Sequence, residues 1–161
     1  MRKLNYLWLL LFFCIACEEE GPTDDDDSPT IAEERLALIE DIVWVPGTIT
    51  GDGNNLLELY PSYQNFKLGF GGVILNSDKT NVSNGQYVVQ GDLYEIMGSS
   101  PGPWMFKEGD EANTLIMMNG IEVNYTVSET SLRLEFTRTP PPISRTQAIV
   151  GDYVFDLVPE N

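Results

Sequence analysis

The chain has 161 residues, with 25 Asp and Glu against 9 Lys and Arg, no His, a net charge of −16, and 42% hydrophobic and 11% aromatic residues. Such acidity excludes a nucleic-acid partner, because phosphates are met by Lys and Arg. The missing His removes the commonest general base and every Ser-His or Cys-His nucleophile, while the apolar content is too high for a wholly disordered chain.

Residues 1–16 read as a signal peptide. Arg2 and Lys3 precede an apolar stretch, Leu4 to Ile15, interrupted only by Asn5. A membrane-spanning helix needs about 20 such residues, so this length fits a secretory segment. It closes on Cys14-Ile15-Ala16-Cys17, which resembles a bacterial lipobox with Cys14 where Leu is usual. The resemblance implies cleavage before Cys17 and lipid attachment to it, so that the membrane is a partner through the acylated Cys17. Each buried CH₂ then contributes about 0.8 kcal/mol of membrane affinity. Cys14 leaves with the signal and Cys17 carries the lipid, so the mature chain is expected to have no disulfide and no Cys-based metal site.

Residues 17–30 form an acidic tether. Glu18–Glu20 and Asp24–Asp27 are interspersed with Gly and Pro and lack any basic residue, a composition that cannot pack. Fully extended, the tether spans roughly 45 Å at about 3.3 Å per residue. Consecutive Asp side chains diverge, so no calcium site is expected here. An acidic cluster after a lipidated Cys is similar to the surface-export signal of Bacteroidota-type lipoproteins. That similarity implies an outer-membrane lipoprotein exposed at the cell surface, with a periplasm-facing location as the alternative.

The domain of residues 31–161 opens with a short helix. Thr30-Ile31-Ala32-Glu33 has capping-box spacing, and Leu36 and Ile39 share a face with Ile31 or Ala32. From residue 42 the period becomes two. Ile121–Val127 and Leu132–Thr137 alternate cleanly, as antiparallel strands with one wet face do. Asn119-Gly120 and Glu129-Thr130 are hairpin turns in a meander over 113–138. Strands are expected at 42–50, 65–72, 86–91, 103–107, 113–118, 121–128, 131–138 and 150–158, with Pro140–Pro142 marking the last crossing.

Several segments bear a further likeness: Ile42-Val43-Trp44, Asn65–Phe70, Pro101–Phe106, Ser131–Thr137 and Ile149–Leu157. With the lipobox and tether they resemble the lipocalin-like lipoproteins of Bacteroidota. The resemblance implies an all-β, eight-stranded antiparallel barrel with a short N-terminal helix on a lipid anchor. It supplies no catalytic or ligand residue. Pro103 departs from the family pattern, so that strand is expected to start later or to lie at an edge.

Without His or Cys an enzyme would rest on carboxylates, but Glu122 and Glu135 fall on the wet face of their strands. Gly51-Asp52-Gly53-Asn54-Asn55 lacks the alternating ligand spacing of a calcium loop and reads as a turn. No catalysis, metal or cofactor is therefore expected. The aromatics are the remaining candidates for binding a small molecule, glycan or protein: Trp44 and Trp104, which equally suit a core, and Tyr60, Tyr63 and Tyr94 near loops at a barrel mouth. The competing expectation is a solid-core interaction module, marked by a contiguous exposed apolar patch.

Overall fold

The computed structural model describes residues 28–71, 75, 79, 81–82, 84–98, 100–118, 120–139 and 150–161. The signal peptide, Cys17, most of the tether and Pro140–Pro142 lie outside the described residues.

Helix α1 (Ile31–Ile39) starts as its sequence demands. The Thr30 hydroxyl accepts from the Glu33 N–H at 3.2 Å, and the Glu33 carboxylate accepts from the Thr30 N–H at 2.9 Å. The Thr30 hydroxyl also donates to the Lys79 carbonyl at 2.6 Å, and Lys79 pairs with Glu33 at 3.2 Å, fastening the start of the domain to the chain that follows the second barrel strand. Ala32, Leu36 and Ile39 are buried and Ile31 is exposed, so Ala32 completes the apolar face.

The strands are β1 (Val43–Gly51), β2 (Asn54–Asn55), β3 (Lys67–Gly71), β4 (Gly85–Gln90), β5 (Gly102–Phe106), β6 (Thr114–Met117), β7 (Ile121–Ser128), β8 (Ser131–Arg138) and β9 (Gly151–Pro159). Each of the eight expected strands is present within a few residues of its expected bounds. Apart from the two-residue β2, they follow one another as antiparallel neighbours, and β1 closes the ring on β9 from Trp44↔Pro159 to Gly51↔Tyr153. Closure leaves no sheet edge to protect, which is how a small barrel avoids edge pairing.

Alternation sends Val123, Tyr125 and Val127 inward from β7, Leu132, Leu134 and Phe136 from β8, and Tyr153, Phe155 and Leu157 from β9. In β1 the phase slips. A register shift between Pro46 and Thr48 makes Gly47 an extra residue, so the inward positions are Trp44 and Ile49, five apart rather than an even number. This is a β-bulge, invisible to a strict period-two reading. Pro103 lies inside β5, paired with Gln86, and neither delays the strand nor marks an edge. β6 pairs only with Met105 and Phe106, so the missing Pro103 N–H takes no bond from that ladder.

The interior is a continuous aromatic core. Phe70 and Phe106 meet Trp104 edge-on at 5.2 and 5.4 Å, and Phe155 meets Phe66 edge-on at 5.7 Å, arrangements the ring quadrupoles favour. Tyr87, Tyr125 and Tyr153 are buried with them; the Tyr87 hydroxyl donates to the Met97 carbonyl at 3.0 Å and that of Tyr125 to the Glu111 carbonyl at 2.6 Å. Burial raises all three phenol pKa values. A raised folded-state pKa favours the neutral form, so these tyrosines stabilise the fold fully below the ordinary value of about 10 and progressively less above it. In an alkaline titration their tyrosinate absorbance should rise only together with loss of the β-sheet circular dichroism. Full ionisation of every tyrosine in a still-folded chain would contradict this packing.

Candidate functional site

Outside the ring, the segment between β2 and β3 forms a lid of two short helices. Helix α2 (Leu56–Leu59) is capped by Asn55, whose side-chain oxygen accepts from the Leu57 N–H at 3.1 Å. A 3₁₀ turn (Pro61–Asn65) follows at once, with Pro61 in its first turn, the position its fixed φ suits. The lid is needed because β1 pairs with β3 only at Val43 and Trp44. Leu56, Tyr63 and Phe66 are buried there and join the core.

The lid brings Tyr60 and Tyr63 together, ring centroids 5.2 Å apart and tilted 34°. Tyr63 is buried at 9% exposure, while Tyr60 stands 52% exposed beside Leu59 at 60%. At this end Gly51 lies against the Tyr153 ring and Leu56, and Gly151, paired with Arg138, lies against the Asp52 carboxylate; burial raises the Tyr153 phenol pKa, Asp52, Tyr63 and Tyr60 add to the rise and Arg138 opposes it. Asp52 is held at the β1–β2 turn: its carboxylate accepts from the Asp152 N–H at 2.9 Å and its N–H donates to the Asp152 carbonyl at 2.8 Å.

Trp44 and Trp104, at 0% and 2% exposure, face the opposite way, into the core, with neither indole N–H partnered among the described residues. Tyr94 begins helix α3 (Tyr94–Met97), and its side chain lies outside the described residues. Of the aromatic candidates, the structure therefore assembles Tyr60 and Tyr63 and separates them from the tryptophans. The i, i+3 spacing of these two tyrosines across Pro61 was the available signal, but four-residue helices carry too little periodicity to reveal it.

Grooves among the described residues lie on the outer wall. One of about 580 Å³ runs over β7–β9 beside Glu122, Glu135 and Asp152. Glu122 is paired with Lys107 at 2.8 Å and Glu135 with Arg133 at 2.6 Å, both on the wet face as their strand phase requires. Another, of about 200 Å³, sits near Asn113 and Arg133. A further one, of about 420 Å³, is floored by Gly69 and Gly71. Val43, Gly69 and Val88 form one cross-strand row, and a Cβ added at Gly69 would meet nothing within 4 Å. On the outer faces of β3, β4 and β5 the one charged side chain is Lys67, paired with Glu160.

Among the described residues no helix is long and apolar enough to cross a membrane, and no three His, Cys, Asp or Glu side chains gather as a metal site. No family model, curated protein or solved structure matches the chain.

Proposed function

We propose that this chain is a non-enzymatic, lipid-anchored envelope lipoprotein whose barrel binds an extended ligand on its lid rather than a small molecule in its interior. The observation that carries the reading is the contrast between the two sets of aromatics. Trp44, Trp104, Phe106 and Phe155 fill the barrel axis at 0–2% exposure, leaving them to packing, whereas the lid holds Tyr60 half exposed on a buried Tyr63. A rigid aromatic presented to solvent gives contact area at low entropic cost.

A photoreactive residue placed at Tyr60 in the native envelope should yield a discrete adduct, and one at Thr126 on the opposite outer wall should not. Absence of any adduct from position 60 would defeat the lid reading. The anchor has its own arm: an alkyne fatty acid supplied to cells should label the chain, and Cys17→Ala should abolish the label.

The row Val43–Gly69–Val88 supports a second reading, an interaction module docking on another envelope protein. A wall on which Lys67 is paired with Glu160 and Asp41 stands at the rim of the groove, on a chain of net charge −16, is a surface where a protein can approach while desolvating little charge. Adducts from position 88 but none from position 60 would favour it.

A further inference from the structure

Resting on the lid reading, we infer that the ligand class is carbohydrate, stacked on the Tyr60 ring and hydrogen-bonded by carboxylate and carboxamide side chains of the lid and of the β1–β2 turn that leads into it. The flat CH face of a pyranose ring lies on an aromatic plane, while its hydroxyls require groups that both accept and donate in one plane.

The lid offers that combination. Tyr60 is propped by Tyr63 at 5.2 Å, which fixes the ring plane before a ligand arrives. On the fourteen residues from Asp52 to Asn65, Glu58 and Gln64 in the lid and Asp52 and Asn54 in the β1–β2 turn that leads into it are all exposed. Glu58 is oriented by a 2.8 Å bond from the Asn55 carboxamide. Asp52 follows Gly51, whose backbone lies against both the Tyr153 ring and Leu56 at the start of the lid, an added Cβ there meeting them at 3.0 and 3.1 Å. Lys and Arg are absent from this stretch, and Arg138 at the same barrel end directs its guanidinium to the Met118 sulfur at 3.8 Å, so the stretch's own side chains suit a neutral polyhydroxyl better than a phosphate or sulfate.

Position supports the same reading. The domain begins at α1, fastened through Thr30 to Lys79, and the lid follows the far end of β1. The start of β1, Val43, lies beside Gly69 near the end of β3, the strand that leads toward Lys79, and the nine residues of β1 carry the chain about 26 Å from there at about 3.3 Å per step. The tether thus enters at one end of the barrel, and the lid sits at the other, the end remote from the anchor.

The test uses the mature chain, residues 17–161, with Cys17→Ala, and cellohexaose, a glucan whose all-equatorial hydroxyls leave both ring faces apolar. Two-dimensional NMR titration should move the lid amides of residues 52–66 and give a millimolar-range Kd. Tyr60→Ala should weaken binding at least tenfold and Tyr60→Phe by less than about threefold, since the aromatic plane carries the stacking and the hydroxyl is not part of it. Tyr60 is half exposed and its ring meets the buried Tyr63, so unchanged circular dichroism and the ring-preserving Tyr60→Phe separate lost stacking from a disturbed lid. Absence of lid shifts at about 10 mM cellohexaose, or equal binding by Tyr60→Ala, overturns the inference. If the sugar fails while position 60 still forms adducts that protease removes, the ligand is a polypeptide, and the lid reading stands without its carbohydrate class.

Discussion

Trp104→Ala should lower the unfolding free energy by about 3–5 kcal/mol, a large share of the roughly 5–15 kcal/mol a domain possesses. The side chain is 2% exposed and packs edge-on against both Phe70 and Phe106, so its removal strips contacts from β3 and from its own strand β5. Those rings sit on rigid barrel strands and cannot collapse into the space, which places the cost high in the range. In urea the midpoint should fall by about 2 M, given slopes of about 1–3 kcal/mol per M. Trp104→Phe should cost much less: the indole N–H has no partner among the described residues, so the substitution loses volume but breaks no hydrogen bond. A Trp104→Ala chain of nearly native stability would show that the tryptophan serves something other than packing.

Gly85→Ala and Gly69→Ala should differ sharply although both change a barrel glycine by one methyl group. At Gly85 the new Cβ would lie 2.7 Å from both the Trp104 indole nitrogen and the Trp104 carbonyl oxygen, and 2.8 Å from a Val82 methyl. The carbonyl belongs to the paired strand, Gly85↔Trp104, and cannot swing away without breaking the ladder. Overpacking of this kind costs about 1–3 kcal/mol or more. At Gly69 the added methyl points into open space on the outer wall, so its effect should stay within about 0.5 kcal/mol. Equal losses at the two positions, measured by thermal or urea unfolding, would mean that the inward and outward faces of β3 and β4 are misassigned.

These two glycines also mark how far sequence reading reaches. Gly69 and Gly85 look alike in the sequence, each beside a strand of alternating residues. Only the pairing of β4 with β5 sets Trp104 over Gly85, and only the outward phase of β3 leaves Gly69 bare. The same holds for the aromatics. Trp44, Trp104 and Tyr63 carry similar apolar area, and nothing local separates a ring that fills a barrel from one that props a lid.

The sequence by itself determined the class of the fold. Period-two alternation specifies one wet and one dry face for each strand wherever the strands come to lie, and the Thr30–Glu33 capping box is complete within four residues, so both were legible without any partner. The acidity likewise resolved locally: seven acidic residues fall in the tether, whereas residues 42–161 hold 14 acidic against 6 basic. The tertiary structure decided the rest. The closure of β1 on β9 joins residues about 110 positions apart, from Trp44 to Pro159, and the bulge at Gly47 exists only relative to that partner. The lid forms because β1 and β3 diverge and leave a gap that Leu56, Tyr63 and Phe66 fill. Which tyrosine meets solvent follows from that gap, a property of strand geometry in three dimensions that no run of neighbouring residues encodes.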